Sequence, residues 1–130
     1  MLQRPAMGFL SKLLGLTPPA KPLHLHDANF ADEVLRSKLP VLIDVWGPGC
    51  GPCKQLEPVV MDLTASYEGR VKVCELNAAA APRTSARLQI QGTPTVLYFH
   101  EGRELERVAG FRSSLFHRQT IEELFGIAPD

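Results

Sequence analysis

The sequence predicts an α/β fold in which helices cover both faces of one mixed central β-sheet. Strand-like and helix-like patterns alternate from about residue 23 in the order β-α-β-α-β-α-β-β-α. The last two strands are separated by Glu101-Gly102, a pair typical of a hairpin turn. Parallel βαβ units followed by an antiparallel hairpin place helices on both sides of such a sheet.

Size and composition fit one globular domain. The chain has 130 residues, of which 45% are hydrophobic and 22% charged, and both fractions are near the globular average. Its 14 Lys and Arg balance its 14 Asp and Glu. This neutral charge gives no electrostatic reason to expect nucleic acid or an acidic membrane surface as a partner.

The first half of the domain is predicted to contain two strands with a helix between them. Residues 22–26 alternate apolar and polar and fit an edge strand. Asp27 is a plausible N-cap for a helix over residues 29–37, because its carboxylate can accept hydrogen bonds from free backbone N–H groups. Residues 40–46 are almost all apolar, which is typical of a strand buried on both faces.

The second half begins with the longest predicted helix, over residues 50–67. Pro58 lies inside it and is expected to kink it. The remaining predicted elements are a strand over residues 71–77, a helix over 83–88 entered through Pro82, strands over 95–100 and 104–108, and a helix capped by Ser113 or Ser114 that ends at Gly126.

Residues 1–22 are predicted to form an extension in front of a domain over residues 23–130. Residues 17–22 contain three prolines and read as a linker. Residues 7–16 have the spacing of a short amphipathic helix, which we expect to pack on the domain or to fray. A membrane-surface anchor or a partner-docking helix remains an alternative. Lys12 interrupts the apolar run, so a signal peptide is disfavoured and a cytoplasmic location is expected, with a periplasmic or membrane-surface location as the alternative.

Three cysteines are too few for a disulfide-stapled scaffold, and two of them form a C-x-x-C motif. Cys50 follows a buried strand and opens a helix, where free N–H groups and the helix dipole stabilise a thiolate. We therefore predict Cys50 as the nucleophile. Cys53 lies one turn later and is expected to be more buried and to resolve the mixed disulfide. Lys54 adds a nearby positive charge.

The cysteines also have two other interpretations, a zinc site at Cys50 and Cys53 and a regulatory thiol at Cys74. A zinc site would need four ligands, and His24 and His26 could complete the set with Cys50 and Cys53, although the strand-then-helix context favours redox chemistry. Cys74 lies on a predicted strand and is interpreted as a small buried hydrophobe, with a regulatory thiol as the alternative.

The run from Asp44 to Lys54, DVWGPGCGPCK, closely resembles the active-site segment of the thioredoxin family. Residues 92–95, GTPT, followed by Phe99 and Gly102, resemble the second signature of that family, and Pro58 matches its helix-kinking proline. The resemblance covers about residues 23–127 and implies a thioredoxin fold.

The resemblance also implies roles for further residues. Asp44 corresponds to a buried acid beneath the disulfide that exchanges protons with Cys53, where burial would raise its pKa; the alternative is a local structural hydrogen bond. Pro94 corresponds to a cis-proline facing the disulfide, and Trp46 to a tryptophan behind it; a trans proline and a core filler are the alternatives. The implied substrate-binding residues are Trp46, Gly49, Gly51, Pro52, Gly92, Thr93, Pro94 and Gly110.

Three positions depart from the family pattern. Gly49 stands where a second tryptophan is common, Glu75 where many relatives carry a lysine near the buried acid, and Ala79 where an acid often approaches the Trp46 region. A second carboxyl near Asp44 would push one pKa upward.

The implied activity is reduction of disulfides in client proteins by dithiol–disulfide exchange. No bound cofactor is expected, because the cysteine pair carries the electrons, and the implied electron donor is an NADPH-dependent thioredoxin reductase. A monomer is expected. The alternatives are an extracytoplasmic oxidase or isomerase of the same fold, and a binding or chaperone-like module that docks partners through residues 7–16 and the surface around Gly49.

Overall fold

The computed structural model describes residues 13–15 and 20–128. Its strands are β1 (Leu23–Leu25), β2 (Val41–Trp46), β3 (Lys72–Asn77), β4 (Thr95–His100) and β5 (Arg103–Ala109). Its helices are α1 (Ala31–Leu35), α2 (Gly51–Ser66), α3 (Pro82–Leu88) and α4 (Ser114–Phe125). The predicted order of elements is confirmed.

The five strands form one mixed sheet in the order β1-β3-β2-β4-β5. Strands β1, β3 and β2 run parallel, whereas β4 is antiparallel to β2 and β5 is antiparallel to β4. The first five residues of β2 are all buried, which confirms the apolar run over residues 40–46 as a strand covered on both faces. The alternating run over residues 22–26 gives β1 at one edge, as predicted.

Helices cover both faces of the sheet. On one face Phe30, Val34 and Leu88 pack in a cluster with buried residues of β2 and β4. On the other face Leu56 of α2 and Ile121 of α4 pack in a second cluster. Residues 47–50 connect the end of the central strand β2 to the start of helix α2.

The first helix differs from the prediction. It spans only Ala31–Leu35 and is a π-helical turn, in which the Arg36 N–H donates to the Ala31 carbonyl at 3.0 Å. Asp27 does not cap it. The Asp27 carboxylate instead accepts from the backbone N–H and the hydroxyl of Thr84, each at 2.8 Å, and so caps α3. These hydrogen bonds, the backbone one first, hold the pKa of Asp27 below its usual value.

The other helix ends follow the prediction. The Phe116 N–H donates to the Ser113 hydroxyl at 3.2 Å, so Ser113 is the N-cap of α4, and Gly126 closes that helix in the left-handed conformation. Helix α2 runs continuously across Pro58, and α3 starts at Pro82.

The hairpin turn between β4 and β5 places Glu101 at φ +52° and Gly102 at φ +79°. Two central residues with positive φ define a type I′ turn, which confirms the hairpin turn predicted from the sequence. A Cβ atom at Gly102 would lie 3.0 Å from the backbone oxygen of Leu35, so this turn also packs closely against α1.

We expect Gly102→Ala to lower the free energy of unfolding by about 2 kcal/mol, since it adds a backbone clash to the strain of positive φ. Gly69→Ala is the matched control, because Gly69 has φ +81° but nothing within 4 Å of a built Cβ. The control should lose about 1 kcal/mol in denaturant unfolding. Equal losses in the two variants would show that the contact with Leu35 is unimportant.

Little of the N-terminal extension lies within the described residues. Of the predicted helix over residues 7–16, only Leu13 to Gly15 is described, and Leu13 and Leu14 are exposed. The rest of that prediction, and residues 17–19 of the predicted linker, lie outside the described residues. Within residues 13–15 and 20–128, no helix has the length and apolar character needed to cross a membrane.

Candidate active site

Cys50 and Cys53 are joined by a disulfide at the end of β2, with their Cα atoms 5.2 Å apart. Cys50 is the N-cap of α2, and its sulfur accepts the Cys53 backbone N–H at 3.2 Å. Cys50 is half-buried, whereas Cys53 is only 4% exposed. The sulfur at the helix start is therefore the accessible one, and the helix directs a backbone N–H at it.

A loop preceding β4 lies against the disulfide. Its Thr93–Pro94 peptide bond is cis, and the Thr93 carbonyl oxygen lies 3.6 Å from the Cys50 sulfur. The Gly110 N–H donates to the Pro94 carbonyl at 2.8 Å, which ties this loop to the end of β5. The structure thus brings the second sequence signature beside the first.

Two cavities lie at this site, one at the cis-proline loop and one at the cysteine pair. One of about 570 Å³ is lined in part by Gly92, Thr93, Pro94 and Gly110, so four of the predicted substrate-binding residues share one surface. The other, of about 340 Å³, is lined in part by Asp44, Trp46, Gly49, Cys50 and Cys53. Gly51 and Pro52 lie exposed in the first turn of α2 and line neither of these cavities.

Asp44 lines the smaller cavity, and its carboxyl holds a proton more tightly than an ordinary aspartate does. It is 4% exposed, and its Oδ1 has no hydrogen-bond partner among the described residues. Burial, and then the negative charges of Glu75 and Glu57, together raise the pKa of Asp44 from 3.8 to about 7. The direction agrees with the expectation from the sequence, and Asp44 can exchange a proton near neutral pH.

Glu75 links three strands at one level of the sheet. It is the register partner of His24 on β1 and of Asp44 on β2. Its Oε1 accepts from Trp46 Nε1 at 2.7 Å, and its Oε2 lies 2.7 Å from His24 Nδ1. Ala79 is exposed. Glu75 therefore supplies the carboxylate that holds Trp46.

His24 does not join a metal site with the cysteines. Its ring contacts Glu75, and the two sulfurs of Cys50 and Cys53 are bonded to each other. Over residues 13–15 and 20–128, no group of three or more His, Cys, Asp or Glu side chains is arranged to hold a metal ion.

Sequence reasoning missed two features of the site. Glu57 lines the smaller cavity, and its position four residues after Cys53 places both on one helix face, a spacing that could have indicated it. The bonds of Glu75 to His24 and Trp46 were also missed. Their signal is the parallel register of three strands, which sequence periodicity alone does not fix.

Cys74 is a buried thiol on β3, as predicted. Its side chain is fully buried, and burial raises its pKa to about 12, so the sulfur stays protonated at neutral pH.

Comparison with known proteins agrees with this geometry. The family model described as thioredoxin matches residues 21–123. The chain belongs to the thioredoxin family. Thioredoxin family members work through a C-x-x-C pair that cycles between dithiol and disulfide, and here that pair is Cys50 and Cys53 at disulfide-bonding distance.

Individual thioredoxins resemble the chain over most of its domain. The thioredoxin of Synechocystis is 44% identical over 97 residues, which cover 75% of this chain and 91% of that protein. Thioredoxin 1 of Nostoc is 37% identical over the same length and the same shares. The chloroplastic thioredoxin M-type of Spinacia oleracea is 38% identical over 86 residues, which cover 66% of this chain and 48% of that protein.

Membership of the thioredoxin family, together with the bonded cysteine pair, establishes the activity. The chain is a thiol–disulfide oxidoreductase that acts by dithiol–disulfide exchange through Cys50 and Cys53.

Proposed function

We propose that the chain reduces disulfides of client proteins with Cys50 as nucleophile, Cys53 as resolving cysteine and Asp44 as proton carrier. The main supporting observation is the asymmetry of the pair. Cys50 is accessible and receives a backbone N–H at the helix start, whereas Cys53 is enclosed beside a cavity that reaches Asp44.

The first step is attack of the Cys50 thiolate on one sulfur of a client disulfide. A bond forms between Cys50 and that sulfur, the client S–S bond breaks, and the other client sulfur leaves as a thiolate that takes up a proton. The helix start stabilises the attacking thiolate through its free N–H groups and its dipole.

The second step releases the client. The Cys53 thiol gives its proton to the Asp44 carboxylate, and the resulting thiolate attacks the Cys50 sulfur. The Cys50–Cys53 disulfide forms, and the client leaves as its second thiolate and is protonated. Two electrons thus pass from the cysteine pair to the client. A carboxyl with pKa about 7 suits this transfer, because it accepts and returns protons near neutral pH.

The client is proposed to bind across the loop that carries the cis-proline. Gly92, Thr93 and Pro94 share one surface with Gly110, and Thr93 reaches the Cys50 sulfur. An extended client segment can pair with exposed backbone at such a loop, which would align its disulfide with Cys50. Trp46, Gly49, Gly51 and Pro52 are proposed to border the same binding surface.

The electron donor and the location are part of the proposal. Family membership supports an NADPH-dependent thioredoxin reductase as donor. A cytoplasmic location is proposed, although relatives of the chain include thioredoxins named as chloroplastic. No bound cofactor is needed, since the two sulfurs store the electrons.

Trapping with Cys53→Ser tests the proposed roles. Without a resolving thiol, the mixed disulfide on Cys50 should persist, and captured clients should be released by dithiothreitol and identified by mass spectrometry. The Cys50→Ser, Cys53→Ser double variant is the matched control and should capture nothing. Capture of clients by a Cys50→Ser variant through Cys53 would reverse the assigned roles.

A further inference from the structure

We propose that Glu75 and His24 form a positioning pair that holds the Trp46 indole and sets the electrostatic field at Asp44. This inference deepens the proposed function and rests on the role of Asp44 as proton carrier. It concerns how this particular chain controls that carboxyl.

The geometry gives each Glu75 oxygen one partner. Oε1 accepts from the Trp46 indole N–H and Oε2 lies against the His24 ring, both at 2.7 Å. The side chain of Glu75 is 22% exposed, so its place is defined by these two contacts. Trp46 follows Asp44 by two residues on β2, which puts both on the same face of the sheet. The Glu75 carboxylate therefore connects Trp46, which lines the cavity, to His24 on the edge strand β1.

Several charged groups face Glu75. Asp44 projects from β2 at the same register level, and Lys54 and Glu57 line the shared cavity from α2. From β1, His24 makes the direct contact, and the His26 ring centroid lies 5.9 Å from that of His24. Lys54 and Glu57 are exposed, so water screens their charges more than it screens Asp44 or Glu75.

The His24 ring determines the net charge of the pair. Its side chain is 62% exposed, so solvent reaches the ring. When the ring is protonated, it compensates the Glu75 carboxylate and the field at Asp44 weakens. When the ring is neutral, Glu75 presents a full negative charge to Asp44. Asp44 itself titrates near neutral pH.

The first experiment follows the Asp44 carboxyl directly by ¹³C NMR during a pH titration of the oxidised protein. Glu75→Gln removes the charge but keeps an oxygen that can accept from the Trp46 indole. We expect it to lower the titration midpoint of Asp44 by roughly half to one pH unit, as loss of a neighbouring like charge does. Trp46 is the only tryptophan, so its fluorescence reports the indole separately. That emission should change in Glu75→Ala and be retained in Glu75→Gln.

A second pair of variants tests His24. His24→Ala should raise the Asp44 midpoint, because it leaves the Glu75 carboxylate without the imidazole that contacts it. His26→Ala is the matched control, since it removes an imidazole next to the same strand without touching Glu75, and it should leave the midpoint unchanged. Both substitutions are at exposed side chains, so folding should be preserved.

An unchanged Asp44 midpoint in Glu75→Gln would overturn the inference, as would equal shifts in His24→Ala and His26→Ala. The NMR titration requires no turnover, so it is independent of the proposed mechanism. If Asp44→Asn left the client-release rate unchanged while Glu75→Gln still moved the midpoint, the proton-carrier role would fail and the charge pairing would stand.

Discussion

Replacing Asp44 with asparagine should raise the free energy of unfolding of the oxidised protein by about 4 kcal/mol at pH 8. The pKa of Asp44 is about 7 in the folded chain against an ordinary value of 3.8. Between these values the folded state holds a proton that the unfolded state has lost. The contribution of Asp44 to stability therefore falls as pH rises through this window, and the neutral asparagine has no such contribution.

Denaturant unfolding at pH 8 and pH 3.5 measures this effect. The gain should be full at pH 8 and nearly absent at pH 3.5, where the carboxyl is protonated in the folded state and mostly protonated in the unfolded state. Asp32→Asn, at an exposed side chain, is the matched control and should shift stability by less than about 0.5 kcal/mol. A gain that is equal at both pH values would contradict a buried, titrating Asp44. The same Asp44→Asn substitution should slow client release by roughly 100-fold, as loss of a proton carrier does.

His117 should have the opposite effect on stability. It is buried against Tyr98, whose hydroxyl bonds to Nδ1, and its Nε2 has no hydrogen-bond partner among the described residues. Burial, and then the charge of Arg112, lower the pKa of His117 from 6.5 to about 4. Between pH 4 and 6.5, His117 therefore binds a proton in the unfolded chain but not in the folded chain. As pH falls from 6.5 to 4, the wild-type protein should lose about 3 kcal/mol through this residue.

The contributions of His117 and Asp44 cancel between about pH 4 and 6.5, because their slopes are opposite and of similar size. The wild-type unfolding free energy should thus be nearly flat in that range. His117→Gln should expose the Asp44 slope, with stability falling as pH rises, and Asp44→Asn should expose the reverse slope. His26→Gln, at an exposed imidazole, is the control. A flat profile in the His117→Gln variant would refute the assignment.

The sequence predicted those features that depend on neighbouring residues. The apolar run over residues 40–46 predicted the central strand β2, and the break after that run predicted the start of helix α2. The Glu101-Gly102 pair predicted the hairpin. The capping role of Asp27 could not be predicted in this way, because its partner Thr84 is 57 residues away. A good N-cap residue was recognised, but the helix that it caps was the wrong one.

In the candidate site, too, the features set by neighbouring residues were predicted and those set by distant residues were not. The cysteine pair and the cis-proline loop were predicted from two motifs that carry the family resemblance. Glu75 was recognised only as a departure. Its partners became visible once the parallel register placed His24, Asp44 and Glu75 at one level of the sheet. Register depends on which strands become neighbours, and periodicity within a single strand does not determine that.

Placing Cys74 inside the sheet protects the protein from disulfide scrambling. A protein that repeatedly opens and closes a disulfide at its surface is exposed to attack by any third sulfur within reach. Here that sulfur is fully buried and keeps its proton. Each catalytic cycle therefore regenerates the same pair, and no mispaired isomer accumulates while the fold stays closed.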